Sequence, residues 1–148
     1  KVPDAKLIIV GEGPFMGEIL KCISKFHVGE AVILTGKLDQ ETLLRYIKAS
    51  DVFVLNSSYE GFSHVILESM ALGVPVVTTS VGGNPEIIKH NKNGILVTYN
   101  HKEELKEGIL QMLKNDSFHN SLASEGEQTA ASYTEEKMIK QLLKVLNS

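Results

Sequence analysis

The 148-residue sequence contains one cysteine, Cys22, and no tryptophan. A single cysteine excludes a disulfide framework and a cysteine-based metal site, and it is typical of a protein from a reducing compartment. The sequence also has no apolar run near the roughly 18 to 20 residues that a transmembrane helix requires. Its first four residues do not resemble a signal peptide. These absences predict a cytoplasmic protein.

The net charge of the chain is also small. The formal net charge is -3, and the lysine and arginine residues are scattered rather than clustered. Proteins that bind nucleic acids neutralise many phosphates with clustered basic side chains, so we predict no nucleic-acid partner. The five histidines are dispersed as well. Because no group of histidine, cysteine and acidic residues has the spacing of metal ligands, we predict no metal site.

Short apolar runs recur along the chain, and helical patterns separate them. The runs are rich in β-branched residues and lack polar alternation, which is typical of strands buried on both faces of a parallel sheet. They predict strands at residues 7–10, 31–34, 52–55, 74–77 and 95–97. The helical patterns lie at residues 15–26, 40–49, 63–72, 84–90, 101–114, 118–131 and 134–146, with Asp39 as an N-cap. We therefore predict a single α/β domain, with a Rossmann-like, doubly wound parallel sheet of about five strands over residues 5–100 and a helical tail over 101–148.

The turns after the strands are candidate sites, because ligands of open parallel sheets bind at the carboxyl ends of the strands. The first turn contains Gly11 and Gly13, and a third glycine, Gly17, falls one position too late for a dinucleotide fingerprint. This spacing argues against a Rossmann-type redox domain, and it leaves a ligand contact or a plain strand-to-helix turn. The second turn, residues 35–39, offers Gly36 and small polar residues beside a flat base, or an ordinary turn with a solvated lysine.

The turn after the third strand, residues 56–63, leads into a helix that begins near Ser63. Unpaired amides and the helix dipole attract anions to such a position, so this turn predicts a diphosphate site. Glu60 precedes the helix, and Glu68 lies roughly 7 Å along its axis from Ser63, so two carboxylates flank the anion site. The alternative is structural: Glu60 complements the helix dipole, and Glu68 forms a surface pair with His64.

Residues 59–77, YEGFSHVILESMALGVPVV, closely resemble the Glu-x7-Glu region of the family-4 retaining glycosyltransferases. Residues 80–86 and 93–97 resemble that family's Gly-Gly-x-x-Glu segment and its next strand, and the resemblance extends over about residues 5–100. In this family two Rossmann-like domains face each other in the GT-B fold, and the second domain binds a nucleotide-sugar donor. The resemblance implies that this chain is the donor-binding domain, whose partner is an N-terminal acceptor domain absent from the chain.

The resemblance also implies roles for individual residues. Glu68 would accept hydrogen bonds from the ribose hydroxyls, and Glu60, the catalytic residue of the set, would hold hydroxyls of the donor sugar. The other donor-binding residues implied are Gly61, Phe62, Ser63, His64 and Val65 for the sugar and diphosphate, Gly36, Lys37 and Leu38 for the base, and Gly13 in the first turn. The nucleotide-diphosphate sugar is a substrate, so neither a cofactor nor a metal is expected.

The reaction implied by the resemblance is transfer of a sugar to an acceptor with retention of configuration, in polysaccharide or glycoconjugate synthesis. The acceptor would be lipid-linked or a polysaccharide, which for the full-length protein would suit the inner face of the membrane. The family's arginine and lysine that clamp the diphosphate precede the start of this chain, so we expect the isolated chain to be inactive. A non-catalytic module that binds a nucleotide sugar is the alternative.

Overall fold

The computed structural model describes residue 2 and residues 4–133, so the predicted helix at 134–146 lies outside the described residues. Strands form in all five predicted places. Their bounds are Leu7–Val10 (β1), Val32–Gly36 (β2), Phe53–Leu55 (β3), Val76–Thr79 (β4) and Ile95–Val97 (β5). The helices are Met16–Phe26 (α1), Gln40–Lys48 (α2), His64–Ala71 (α3), Asn84–Ile87 (α4), Lys102–Lys114 (α5) and Asp116–Ser132 (α6). The paired strands run parallel, and the alternation of strands and helices confirms the predicted α/β, Rossmann-like class.

The described strands form two hydrogen-bonded sheets rather than one sheet of five strands. β1 pairs with β2, and β4 pairs with both β3 and β5. The chain divides in the same way into two compact units, Lys1–Arg45 and Tyr46–Ser148. Apolar runs locate strands but do not specify which strands pair, so the sequence pattern could not predict this division.

The core of the second unit lies on both faces of its three-stranded sheet. Successive side chains of a strand point to opposite faces, and in β4 this alternation places Val76 in one buried cluster and Val77 in another. The first cluster also contains Ile66 and Met70 of α3, together with Ile87 and Ile88. The second also contains Ile95 and Val97 of β5, Met112 of α5 and Leu122 of α6. Burial on both faces explains why these strands read as continuous apolar runs.

The start of β4 differs from the sequence prediction by two residues. The amide of Val74 donates to the carbonyl of Ser69 (3.0 Å) and so belongs to the turn that ends α3. Pro75 has no amide hydrogen to give to a neighbouring strand. The ladder with β3 and β5 therefore involves Val76–Thr79, and the apolar Val74 is buried without being part of it.

Polar side chains mark the starts of three helices. The carboxylate of Asp39 accepts hydrogen bonds from the amide (2.9 Å) and the hydroxyl (2.7 Å) of Thr42, which confirms the predicted N-cap of α2. α5 and α6 begin after His101 and Asn115, whose side chains each accept a first-turn amide. These caps satisfy amides that have no partner within the helix. Within the described residues, no helix has the length and apolar character that crossing a membrane requires.

Candidate functional site

The turns after β3 and β4 lie side by side, because the two strands are parallel neighbours and their carboxyl ends meet at one edge of the sheet. Hydrogen bonds join the two turns directly. The amide of Gly83 donates to the carbonyl oxygens of Glu60 (3.3 Å) and Gly61 (3.0 Å). The turn with Glu60 and Gly61 is thus hydrogen-bonded to the turn that contains Gly82 and Gly83.

Gly82 and Gly83 permit this approach because they have no side chain. Gly82 has a φ of +51°, and a Cβ atom built on it would lie 1.7 Å from the carbonyl oxygen of Glu60. A Cβ atom on Gly83 would lie 2.3 Å from the carbonyl oxygen of Gly61. Real Cβ atoms essentially never come so close to another heavy atom, so the backbone at Glu60 can occupy its place only beside glycine.

The carboxylate of Glu60 is half-buried and held by a second contact. The hydroxyl of Ser57 donates to Oε1 of Glu60 at 2.6 Å. The carbonyl of Ser57 in turn accepts a hydrogen bond of 2.7 Å from the hydroxyl of Thr79, the buried last residue of β4. Sequence reasoning missed Ser57 and Thr79. The available signal was a hydroxyl residue at the carboxyl end of each of two consecutive predicted strands.

The buried side-chain amide of Asn84 forms hydrogen bonds with the end of β4. Nδ2 of Asn84 donates to the hydroxyl oxygen of Thr78 and to the carbonyl oxygen of Thr79, both at 3.0 Å. The hydroxyl of Thr78 donates to the carbonyl of Leu55 at 2.9 Å. The ends of β3 and β4 and the start of α4 are therefore joined by side-chain hydrogen bonds, as well as by the sheet.

The start of α3 has backbone donors that its own cap leaves unused. Ser63 is the N-cap residue, only 5% exposed, and its hydroxyl accepts no hydrogen bond from the first turn. The amides of His64 and Val65 have no partner within the helix. Such donors, together with the positive end of the helix dipole, can bind an anion without any basic side chain.

Some side chains around the start of α3 pack against the core, and others are exposed to solvent. The Phe62 ring packs against the first buried cluster and lies edge-on to the ring of His64, with centroids 5.8 Å apart. The Phe62 ring is therefore partly engaged in packing. His64 is exposed, whereas Val65 and Glu68 are half-buried. Glu60 to Ser63 thus lie in the turn after β3, His64 and Val65 in the first turn of α3, and Glu68 further along that helix.

The other predicted site residues belong to the first unit, at the carboxyl edge of its two-stranded sheet. Gly36 ends β2 with a φ of +67°, and its carbonyl accepts a hydrogen bond of 2.8 Å from the amide of Gly11. The turn with Gly13 and the turn with Lys37 and Leu38 consequently lie at the same edge of this sheet. Gly13 and Lys37 are exposed, and Leu38 is half-buried.

Among residue 2 and residues 4–133, no three histidine, cysteine, aspartate or glutamate side chains lie together in an arrangement that could hold a metal ion. The predicted site residues of the second unit thus contribute the carboxylates of Glu60 and Glu68 and the backbone amides at the start of α3.

Comparison with known proteins assigns the chain to a family. The family model described as glycosyl transferases group 1 matches residues 1–129. N-acetyl-alpha-D-glucosaminyl L-malate synthase of Bacillus anthracis is 33% identical over 139 residues, which are 93% of this chain and 36% of that protein. The chain thus spans little more than a third of this curated relative.

Solved structures are similar over almost the whole chain. HepE of Anabaena in complex with UDP has a TM-score of 0.86 and 26% identity, covering 98% of this chain and 41% of its own. HepE has also been solved in complex with UDP-glucose. The C-terminal domain of LpcC, a group 1 glycosyl transferase family protein from Francisella tularensis, has a TM-score of 0.83 and 25% identity, covering 90% of this chain and 71% of its own.

The family match and the structural similarity agree with the resemblance found in the Glu-x7-Glu segment. The match covers residues 1–129, and hence the candidate sites of both units. The chain therefore belongs to the group 1 glycosyl transferases.

Proposed function

We propose that the second unit binds the diphosphate, the ribose and the sugar of a nucleotide-sugar donor, within a glycosyltransferase that transfers the sugar with retention of configuration. The observation that carries this proposal is the double attachment of the Glu60–Gly61 backbone to Gly83, beside a helix start whose first amides have no partner within the helix. Phosphate oxygens need donors, and the hydroxyls of ribose and sugar need acceptors. The amides of α3 and the two carboxylates provide this complement.

The proposed role of the helix start is to stabilise the leaving nucleoside diphosphate. As the bond to the sugar breaks, negative charge develops on the diphosphate, and fixed amide dipoles need no reorganisation to stabilise it. We assign Glu68 to the ribose hydroxyls and Glu60 to hydroxyls of the donor sugar. Glu60 acts in this scheme by positioning the sugar, because the only further acid of the segment, Glu68, is assigned to the ribose and leaves no glycosidase-like pair around the anomeric carbon. The reaction needs no metal in this proposal.

The nucleotide is proposed from the solved complexes, and the acceptor from the family resemblance. The complexes of HepE with UDP and UDP-glucose favour uridine nucleotides as the first donors to examine. For the acceptor we retain a lipid-linked or polysaccharide molecule, the class that the family resemblance implies. The assignment of Gly36, Lys37 and Leu38 to the nucleotide base, and of Gly13 to donor binding in the first turn, is a separate proposal for the first unit.

Transfer by the 148-residue chain alone is not expected. The chain covers 36% of the Bacillus anthracis relative and 41% of HepE. We assign the acceptor contacts and the clamping of the diphosphate to the part of a full-length protein that this chain does not cover. A purified sample of this chain should therefore bind a donor weakly without transferring its sugar. Sugar transfer to a glycan or lipid-linked acceptor by the isolated chain would contradict this part of the proposal.

The binding proposal is tested by calorimetric titration with UDP, UDP-glucose, UDP-N-acetylglucosamine, GDP and GDP-mannose. Replacing Glu68 with alanine should weaken the best nucleotide at least about tenfold, because a hydrogen bond to a charged acceptor is lost. Glu107→Ala, an exposed glutamate on α5 of the same unit, is the matched control and should bind like the wild type. The proposal is wrong if no probe binds at millimolar concentration, or if Glu68→Ala binds as tightly as the wild type.

A further inference from the structure

The carboxylate of Glu60 is fixed by contacts that the motif itself does not contain. A glutamate side chain rotates about three bonds, so a fixed backbone does not by itself fix the position of its carboxylate. In this structure Oε1 of Glu60 accepts the hydroxyl of Ser57 at 2.6 Å. Among the described residues, no amide or side chain donates to Oε2.

Ser57 is itself held in place by the core. Its carbonyl accepts the hydroxyl of Thr79 at 2.7 Å, and Thr79 is fully buried in the central strand of the sheet. Thr79 also lies directly before the turn whose Gly83 amide holds the backbone of Glu60. The contact of Ser57 with the Glu60 carboxylate and the contact of Gly83 with the Glu60 backbone therefore both depend on residues at the carboxyl end of β4 or directly after it.

We propose that Ser57 is a positioning residue, which holds the Glu60 carboxylate through Oε1 so that Oε2 accepts a hydroxyl of the donor sugar. This inference rests on the proposed function of Glu60. Thr79 supports it by holding the backbone of Ser57. The arrangement orders the carboxylate before the ligand arrives, so binding the sugar does not have to restrict its rotation.

The inference predicts an effect on the sugar and not on the nucleotide. In Ser57→Ala the ratio of the affinity for UDP-glucose to the affinity for UDP should fall about fivefold, the value expected for one lost hydrogen bond, while UDP affinity stays unchanged. If another sugar nucleotide of the panel binds better than UDP-glucose, the ratio is measured with that sugar nucleotide and the corresponding nucleoside diphosphate. Ser57→Thr retains the hydroxyl and should retain the ratio.

The matched control is Ser58→Ala, which makes the same change at the adjacent exposed serine and should leave the ratio at the wild-type value. An unchanged ratio in Ser57→Ala would overturn the inference, provided that Glu60→Gln lowers it. A drop in UDP affinity equal to the drop in UDP-glucose affinity would also overturn it, because that result would indicate general damage to the segment.

A second measurement does not depend on any ligand. Crystal structures of Ser57→Ala and Ser57→Thr should show the Glu60 carboxylate displaced in the alanine variant and unmoved in the threonine variant. If the carboxylate keeps its place in Ser57→Ala, Ser57 does not position it. If the wild type binds none of the probes, the proposed donor site is wrong, whereas these structures still decide whether Ser57 orders Glu60.

Discussion

Gly82 is the residue on which the geometry of the candidate site depends most directly. It combines a φ of +51° with a distance of 1.7 Å between its hypothetical Cβ and the carbonyl oxygen of Glu60. The first property disfavours any other residue, and the second excludes a side chain unless the Glu60 backbone moves. A substitution here acts on stability and on the site together.

We expect Gly82→Ala to lower the free energy of unfolding by about 3 kcal/mol, from the left-handed backbone and the clash combined. Chemical denaturation followed by circular dichroism measures this change. Gly61→Ala is the control for stability, because a Cβ atom on Gly61 meets nothing within 4 Å and its φ is not in the left-handed range. The control should stay within about 0.5 kcal/mol of the wild type. Equal stability of the two variants would show that the approach of Gly82 to Glu60 has little energetic weight.

The sequence predicted residues of the motif better than the residues that hold the motif in place. Glu60 was found from its position before a helix. The contact between Thr79 and Ser57 joins residues 22 positions apart, and it depends on which strands are neighbours. Local patterns carry no such information. The Phe62 side chain shows the same limit, because only the folded chain reveals that its ring packs against the core.

At the scale of elements, side chains contact the edge of β5 that faces away from β4. The amide of Leu96 donates to Nδ1 of His90 at 3.1 Å. The amide of Thr98, just past the end of the strand, donates to Oε2 of Glu104 at 2.7 Å. Unpaired amides along a sheet edge invite pairing with another chain, so these contacts protect the edge.

The contact with Glu104 makes stability depend on pH. The hydrogen bond from the Thr98 amide, aided by the nearby histidines His101 and His90, holds the pKa of the Glu104 carboxyl below its ordinary value. Because the folded-state pKa is lowered, the ionised carboxylate stabilises the fold fully above the ordinary pKa of about 4.3. This stabilisation is lost as the pH falls through the lowered pKa of the folded state.

We therefore expect Glu104→Gln to melt at a lower temperature than the wild type at pH 7, and this gap to narrow as the pH falls below about 4.3. Thermal melts between pH 3 and pH 7 measure the gap. Glu107→Gln, one turn further along α5, accepts no hydrogen bond from a described residue and should melt like the wild type at pH 7. A gap of the same size at every pH would mean that ionisation of Glu104 is not involved.

The positions of the strands were predicted well, whereas the pairing of the strands was not. β1 and β5 have the predicted bounds, because apolar β-branched runs mark strands, although only β5 contains buried residues. β4 was predicted two residues early because Val74 is apolar, whereas its amide is taken by the turn after α3. The grouping of five strands into two sheets depends on pairing between distant segments, which no run of residues encodes.

At the scale of the whole molecule, burial is distributed unevenly between the two units. Of the residues described in the first unit, none is buried, and Ile33 of β2 is 44% exposed. The second unit contains both buried clusters, including Ile66 at 0% exposure. Since removal of apolar surface from water is the main stabilising contribution to folding, local stability should follow this distribution.

Amide hydrogen exchange should therefore be slowest in β4 and clearly faster in β1 and β2, because opening the first unit exposes little buried apolar surface. A pair of isoleucine variants tests the same reasoning: Ile66→Ala should destabilise the protein by about 3–4 kcal/mol through the cavity that it leaves. Ile33→Ala removes the same atoms from a half-exposed site and should cost less than about 1 kcal/mol. Comparable protection of β1 and β4, or similar losses in the two variants, would mean that the first unit draws its stability from something other than the burial of its own side chains.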